Sequence, residues 1–277
     1  MPKKITTAID NKKNKQSGAF AQVLAELHTV WIFFTRLPWP GDFGLGKAPN
    51  TVKLSAAARA FSFGGIVVGG LSAGVLYIGA GLGLHPLAAS ILGLGAGMLV
   101  SGAIHEDGLG DVFDGFGGGA SKAKKLEIMS DSRIGTYGML ALIIVTGLKA
   151  ALLAGFPSPG LAAGALFVAN VLPRSGLAMM MVILKPAKKS GLGHGAGIPK
   201  KEDAIISIII GALVAVLVFG PGTGIATAVV SALGLGAVGF VAKHQIGGLS
   251  GDVLGAAEQI GESFVLLALA IILASAF

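Results

Sequence analysis

Apolar blocks and polar breaks alternate along this chain with the period of a membrane-crossing bundle. Blocks at residues 61–84, 86–104, 137–155, 160–184, 204–219, 222–242 and 263–277 are almost free of charge. A crossing helix needs about 20 mostly apolar residues at 1.5 Å rise. The pattern therefore predicts about seven spans, the shorter ones extended at their ends or only half embedded. The connections alternate in kind. Residue 85, residues 156–159 (FPSP) and residues 220–221 (GP) are tight and uncharged, whereas 1–60, 105–136, 185–203 and 243–262 are long and charged. Of the 21 Lys and Arg, 19 fall in the four charged segments, leaving only Lys149 and Arg174 outside them. Alternate connections lie on one side of a membrane, so nearly all basic charge shares one face. The positive-inside rule assigns that face to the cytoplasm, with the N-terminus inside.

The first 18 residues are polar and lysine-rich, and are expected to be a disordered basic tail. Residues 19–40 carry Leu24, Leu27, Val30, Trp31 and Phe34 at helical spacing. Glu26 and His28 interrupt them and no small-residue cleavage site follows, which argues against a signal peptide. An interfacial amphipathic helix is expected, with Trp31 and Trp39 near headgroups. No linker divides residues 19–277, which are read as one integral membrane domain. The expected class is thus all-α, a polytopic helix bundle.

Composition agrees: 53% of residues are hydrophobic and 13% charged, against about 25% charged in a soluble domain. The net charge of +7 would suit nucleic acid or a membrane surface. Its confinement to one face favours the lipid bilayer as partner and no nucleic acid. Absence of cysteine excludes disulfides and thiolate metal sites. Glycines 64, 65, 69, 70, 93, 95, 97, 234, 236 and 239 lie inside spans, where they suit close helix packing.

The chemistry concentrates at residues 105–119, HEDGLGDVFDGFGGG. Four of the 14 acids, Glu106, Asp107, Asp111 and Asp114, occupy nine positions at the end of an uncharged block. Asp107, Asp111 and Asp114 follow an i, i+4, i+7 spacing, within about a 60° arc of a helix continuing the second span. Oxygen-only ligands of this kind suit Mg²⁺ or Mn²⁺. The other reading is a solvated acidic helix end, paired with Lys122, Lys124 and Lys125. Next, Ser121 is placed to cap a short helix, and Asp131 and Arg133 return to the membrane surface. Arg133 suits a phosphate, or else forms a plain surface pair with Asp131.

Three more places hold candidate polar groups. Asn170 and Arg174 sit one turn apart around Pro173 in the fourth span, facing a ligand or a carboxylate partner. Lys149 is nearer its helix end and is expected to snorkel outward. The loop KPAKKSGLGHGAGIPKK, residues 185–201, offers Lys188, Ser190 and His194 for an anion, or simply the basic charge of a membrane face. In residues 243–262, Ser250 and Asp252 belong to GGLSGD. Asp252 is placed to cap the helix that follows, and Glu258 and Glu262 share one face of it.

HEDGLGDVFDGFGGG, then LEIMSDSRIGTYG, then GGLSGDVLGAAEQ closely resemble the cobalamin synthase (adenosylcobinamide-GDP ribazoletransferase) family, and FFTRLPWP at 33–40 fits as well. The resemblance runs over roughly residues 30–265. It implies an enzyme of the cytoplasmic membrane acting late in vitamin B12 assembly. Such an enzyme joins adenosylcobinamide-GDP to α-ribazole or its 5′-phosphate and releases GMP, with Mg²⁺. Asp107, Asp111, Asp114 and Asp131 would hold the metal. One of them, or His105, would accept the proton. Glu106, Arg133, Asn170, Arg174, Lys188, His194, Ser250 and Asp252 would contact substrate. Pro186–Ala187–Lys188 stands where the family often has an aromatic–Ala–Arg run, so Lys188 keeps the charge without the bidentate fork. A homo-oligomer is compatible with this reading. Two alternatives stand beside it: a CDP-alcohol phosphotransferase, whose DG…AR…G…D…D spacing is not met, and a cation transporter, which would favour acids near mid-bilayer.

Overall fold

The structure, a computed structural model, describes residues 3–43, 48–188 and 195–274. Among these, the regular elements are helices, joined by one isolated backbone bridge between Pro186 and Leu249. Helix α1 (Lys3–Phe34) continues through the residues expected to be a basic tail. Its apolar part, Gly18–Phe34, is too short to cross a membrane. That part is tied to the bundle by Glu26, which is buried and receives Arg59 Nε at 2.5 Å and Nη2 at 2.9 Å.

Helices α2 (Phe61–Gly81) and α3 (Pro86–Ser101) form a hairpin. Pro86 starts α3 where a missing N–H costs nothing, and His85 Nδ1 accepts the Leu87 N–H. Then follow α4 (Ile104–Gly118), α5 (Lys122–Ile128), α6 (Thr136–Ala154), α7 (Pro159–Ile183), α8 (Lys201–Phe219), α9 (Pro221–Ile246) and α10 (Gly251–Ala274). Six stretches are long and apolar enough to cross a membrane: Leu54–Gly81, α6, α7, α8, α9 and Gly251–Leu273. The bent pair α3–α4 makes a seventh if it is counted as one span. The expected polytopic bundle is therefore present. Helix α7 lies at its centre, packed on α2, α8 and α10. Gly65 and Gly69 let α2 approach closely, because a Cβ at either would lie under 3 Å from the α7 backbone.

Two expectations need correction. The acidic stretch does not continue the second span. Gly102 (φ 67°) and Ala103 (φ 54°) both adopt the left-handed conformation, and the chain turns by 93° into a separate helix α4. Glycine accepts such a φ freely, whereas for Ala103 it is uncommon. The second correction concerns residues 243–262, read as a polar connection. Only Gly247–Ser250 are a loop, since α10 starts at Gly251 and carries Glu258 and Glu262 into the bundle. Those acids lie at such depth because each faces a cation there, as described below.

The charged connections do gather at one end of the bundle. Ala187 N donates to Leu249 O and Leu249 N to Lys185 O, both at 2.8 Å. Lys188 Nζ donates to Leu126 O at 3.0 Å and Ser130 Oγ at 2.6 Å. Lys125 reaches Gln245, and Ser55 N donates to Ala196 O at 3.0 Å. Because the chain has no cysteine, single probes can test this arrangement. Ala123→Cys and Lys200→Cys should be labelled by a membrane-impermeant maleimide from one side and Gly222→Cys from the other. Labelling of all three from the same side would contradict the fold.

Candidate active site

Helix α4 points different residues in different directions. Asp107 and Asp111, one turn apart, line a cleft of about 280 Å³ together with Ser130, Asp131, Ser132 and Arg133 from the α5–α6 connection. Among the described residues, neither the Asp107 nor the Asp111 carboxylate makes a hydrogen bond or ion pair. Asp111 instead feels the like charges of Asp107, Asp252 and Asp114, opposed by the Lys188 ammonium. Across the cleft Arg133 Nη2 pairs with Asp131 Oδ2 at 2.7 Å, and Arg133 Nε lies 3.1 Å from Oδ1. Hydrogen bonds from Arg133 hold the exposed Asp131 carboxyl down at about 2, so it stays ionised throughout the neutral range.

Asp114 is placed elsewhere. Its Oδ2 accepts the Gly135 N–H at 2.7 Å and its Oδ1 the Gly138 N–H at 2.8 Å. These groups lie in the first turn of α6, where no intrahelical acceptor exists, so α4 caps its neighbour. A Cβ at Gly135 or Gly138 would stand 2.4 Å from Asp114 oxygen, which explains why both are glycine. The cap fixes the Asp131–Arg133 connection over α4.

On its opposite side α4 meets α10 at backbone contact. A Cβ at Gly108 would stand 2.7 Å from Asp252 O, and one at Gly255 would stand 3.1 Å from His105 Cα. Asp252 thereby comes beside the cleft, where its charge acts on Asp111. Asp252 does not cap α10. That role falls to Ser250, whose Oγ accepts the Val253 N–H and donates to Asp252 Oδ2, both at 3.2 Å.

The two residues before Asp107 reach into a buried charge network. Lys149, 1% exposed, does not snorkel; its Nζ donates to Gln259 Oε1 at 2.6 Å and Glu262 Oε2 at 2.7 Å. Arg174 Nη1 contacts Glu258 and lies 3.1 Å from Glu262 Oε1 and 2.8 Å from Asn170 Oδ1. Arg174 Nη2 lies 3.1 Å from His105 Nδ1, and Gln259 Nε2 donates to Glu106 Oε1 at 3.0 Å. Two cations thus face the two fully buried carboxylates Glu258 and Glu262. His105, Glu106, Asn170 and Arg174, read as substrate-facing or catalytic, belong to this network and do not line the cleft. Snorkelling fails for Lys149 because its partners sit on α10 at its own depth.

Lys188 is held at the α5 backbone, close enough to attract Asp111 and Asp252. His194 lies outside the described residues. Among those described, no three acids or imidazoles converge closely enough to form a closed metal cage.

A sequence profile of the cobalamin-5-phosphate synthase family matches residues 26–270. The chain belongs to that family. It is similar to the adenosylcobinamide-GDP ribazoletransferase of Bradyrhizobium diazoefficiens, at 40% identity over 88% of this chain and 93% of the relative. The ribazoletransferase of Mesorhizobium japonicum shares 38% identity over 92% and 96%, and that of Rhizobium meliloti 36% over 90% and 99%. No solved structure matches. This cobalamin-5-phosphate synthase family member is therefore an enzyme, a transferase, which sets aside the phospholipid-transferase and transporter readings.

Glu258, Gln259 and Glu262 went unassigned in the sequence, although a signal was there. Lys149 and Arg174 are the only cations outside the charged connections, so each needed an acid at its own depth. Removing one partner of a buried pair costs about 3–5 kcal/mol. Lys149→Met should lower stability in detergent by about that much, and Lys149→Met with Glu262→Gln should recover part of it. Equal unfolding midpoints for wild type and Lys149→Met would contradict the network.

Proposed function

We propose that this chain transfers the cobinamide phosphoryl group of adenosylcobinamide-GDP to α-ribazole or its 5′-phosphate, releasing GMP, at the cytoplasmic face of the membrane. The observation that carries the reading is the cleft, where Asp107 and Asp111 face the Asp131–Arg133 pair, in a chain of this family. The cytoplasmic placement rests on the basic charge of the connections that surround it.

The acids fit Mg²⁺. That ion keeps several waters and is commonly bound through one or two carboxylates plus substrate phosphates. Two carboxylates without hydrogen-bond partners, repelling each other at the rim of a cleft, offer that donor set. When bound, Mg²⁺ would neutralise charge on the phosphoryl oxygens of the diphosphate.

The chain's own groups do the rest. Arg133, in the cleft lining and held by Asp131, would take the phosphate that leaves with guanosine. Lys188 adds positive charge between Asp111 and Asp252. A ribose hydroxyl of ribazole attacks the phosphorus that carries cobinamide. Its proton passes to Asp107, the bond to the GMP oxygen breaks, and GMP leaves. Asp114 holds α6, and with it the far wall of the cleft.

Purified protein given adenosylcobinamide-GDP, α-ribazole and Mg²⁺ should release GMP, and EDTA should stop it. Asp111→Asn should lower kcat by about 100-fold or more, as expected when charge stabilisation of the transition state is lost. GMP release that is indifferent to EDTA, or Asp111→Asn with wild-type kcat, would overturn the assignment.

A further inference from the structure

A second cavity, of 160 Å³, lies on the other side of Asp107. Its walls are Phe33 and Phe34 of α1, Phe61 of α2, and Leu177 and Met181 of α7; His105, Asp107 and Asp252 supply its polar edge. Phe34 meets Phe33 and Phe61 edge to face, at ring-centroid distances of 4.9 Å and 5.3 Å. Phe34, Phe61 and Leu177 are all buried. The chamber is therefore a partly open recess set among packed aromatic and aliphatic side chains. Pockets for drug-sized ligands run from roughly 300 to 1,000 Å³. At 160 Å³ this one is too small for a nucleotide or a corrin and suits one compact ring system.

Asp107 lines both this cavity and the cleft. A ligand with an aromatic end in the cavity and hydroxyls at its mouth would present those hydroxyls to Asp107 and Asp252, and through Asp107 to the cleft. Ribazole has that form, a bicyclic aromatic base on a ribose. We infer that the Phe33–Phe34–Phe61–Leu177–Met181 cavity is the acceptor subsite. It holds the benzimidazole base of ribazole and sets which bases are accepted, while the cleft holds the diphosphate donor. This rests on the reaction proposed above. Edge-to-face phenyl rings favour an aromatic guest, and the polar groups at the rim orient the ribose.

The test uses the full chain in detergent and measures KM for each substrate separately. A single methylene in an apolar pocket changes discrimination by about 10–200-fold. Leu177→Phe, which fills the cavity, should raise the α-ribazole KM about tenfold or more and leave that of adenosylcobinamide-GDP unchanged. Leu177→Ala should shift preference toward ribazoles with bulkier bases. With unaltered protein, free benzimidazole should inhibit competitively against α-ribazole but not against adenosylcobinamide-GDP. Both KM values moving together in the variants, or benzimidazole failing to compete with α-ribazole, would overturn the subsite alone. If the unaltered protein releases no GMP, the parent reading falls instead.

Discussion

Two cations at membrane depth, Lys149 and Arg174, constrain the arrangement of the whole bundle. An unpaired ammonium or guanidinium among hydrocarbon is costly enough that each must meet a carboxylate at its own level. Glu258 and Glu262 meet that need, and they stand one turn apart on α10. Helix α10 must then lie against both α6 and α7 with its polar first half inside the protein. That placement brings Gly255 to Gly108 and lays α4 across the bundle end. Helix α4 is thus positioned by a buried charge network that does not line the cleft.

Helix α4 divides its polar residues among three tasks. His105 and Glu106 engage the network through Arg174 and Gln259. Asp114 caps α6 and holds the Asp131–Arg133 connection in place. Only Asp107 and Asp111 are left facing open space, between the groups that hold the helix at either end. Two carboxylates kept close together without partners are unfavourable by themselves. The structure maintains them because neighbouring residues are anchored by stronger contacts, a common way for a folded chain to sustain a strained functional group.

Much of this was legible in the sequence. The 19 basic residues in alternate connections marked which connections share one end of the bundle, and the apolar blocks marked the six or seven spans, because the period of charge and the period of hydropathy carry the same information. The i, i+4 relation of Asp107 and Asp111 survived as a shared face of α4. What could not be read was direction. Helical spacing gave Asp114 to the same arc, but its oxygens go to the Gly135 and Gly138 amides, since an unsatisfied helix N-terminus competes with a metal for the same carboxylate. The 93° turn at Gly102–Ala103 also escaped, because it depends on a left-handed alanine that local propensity disfavours. The aromatic cavity draws on α1, α2 and α7, residues more than 140 positions apart, and no local pattern announces such a meeting.

The central claim is that Asp107 and Asp111 grip a divalent ion on the donor's diphosphate. Electron paramagnetic resonance of Mn²⁺ substituted for Mg²⁺ tests it most directly. With adenosylcobinamide-GDP bound, the account predicts phosphorus hyperfine coupling to protein-held Mn²⁺, abolished by Asp111→Asn and retained when Glu202, at the start of α8 and not in the cleft lining, becomes Gln. Coupling that survives in both Asp107→Asn and Asp111→Asn would contradict it.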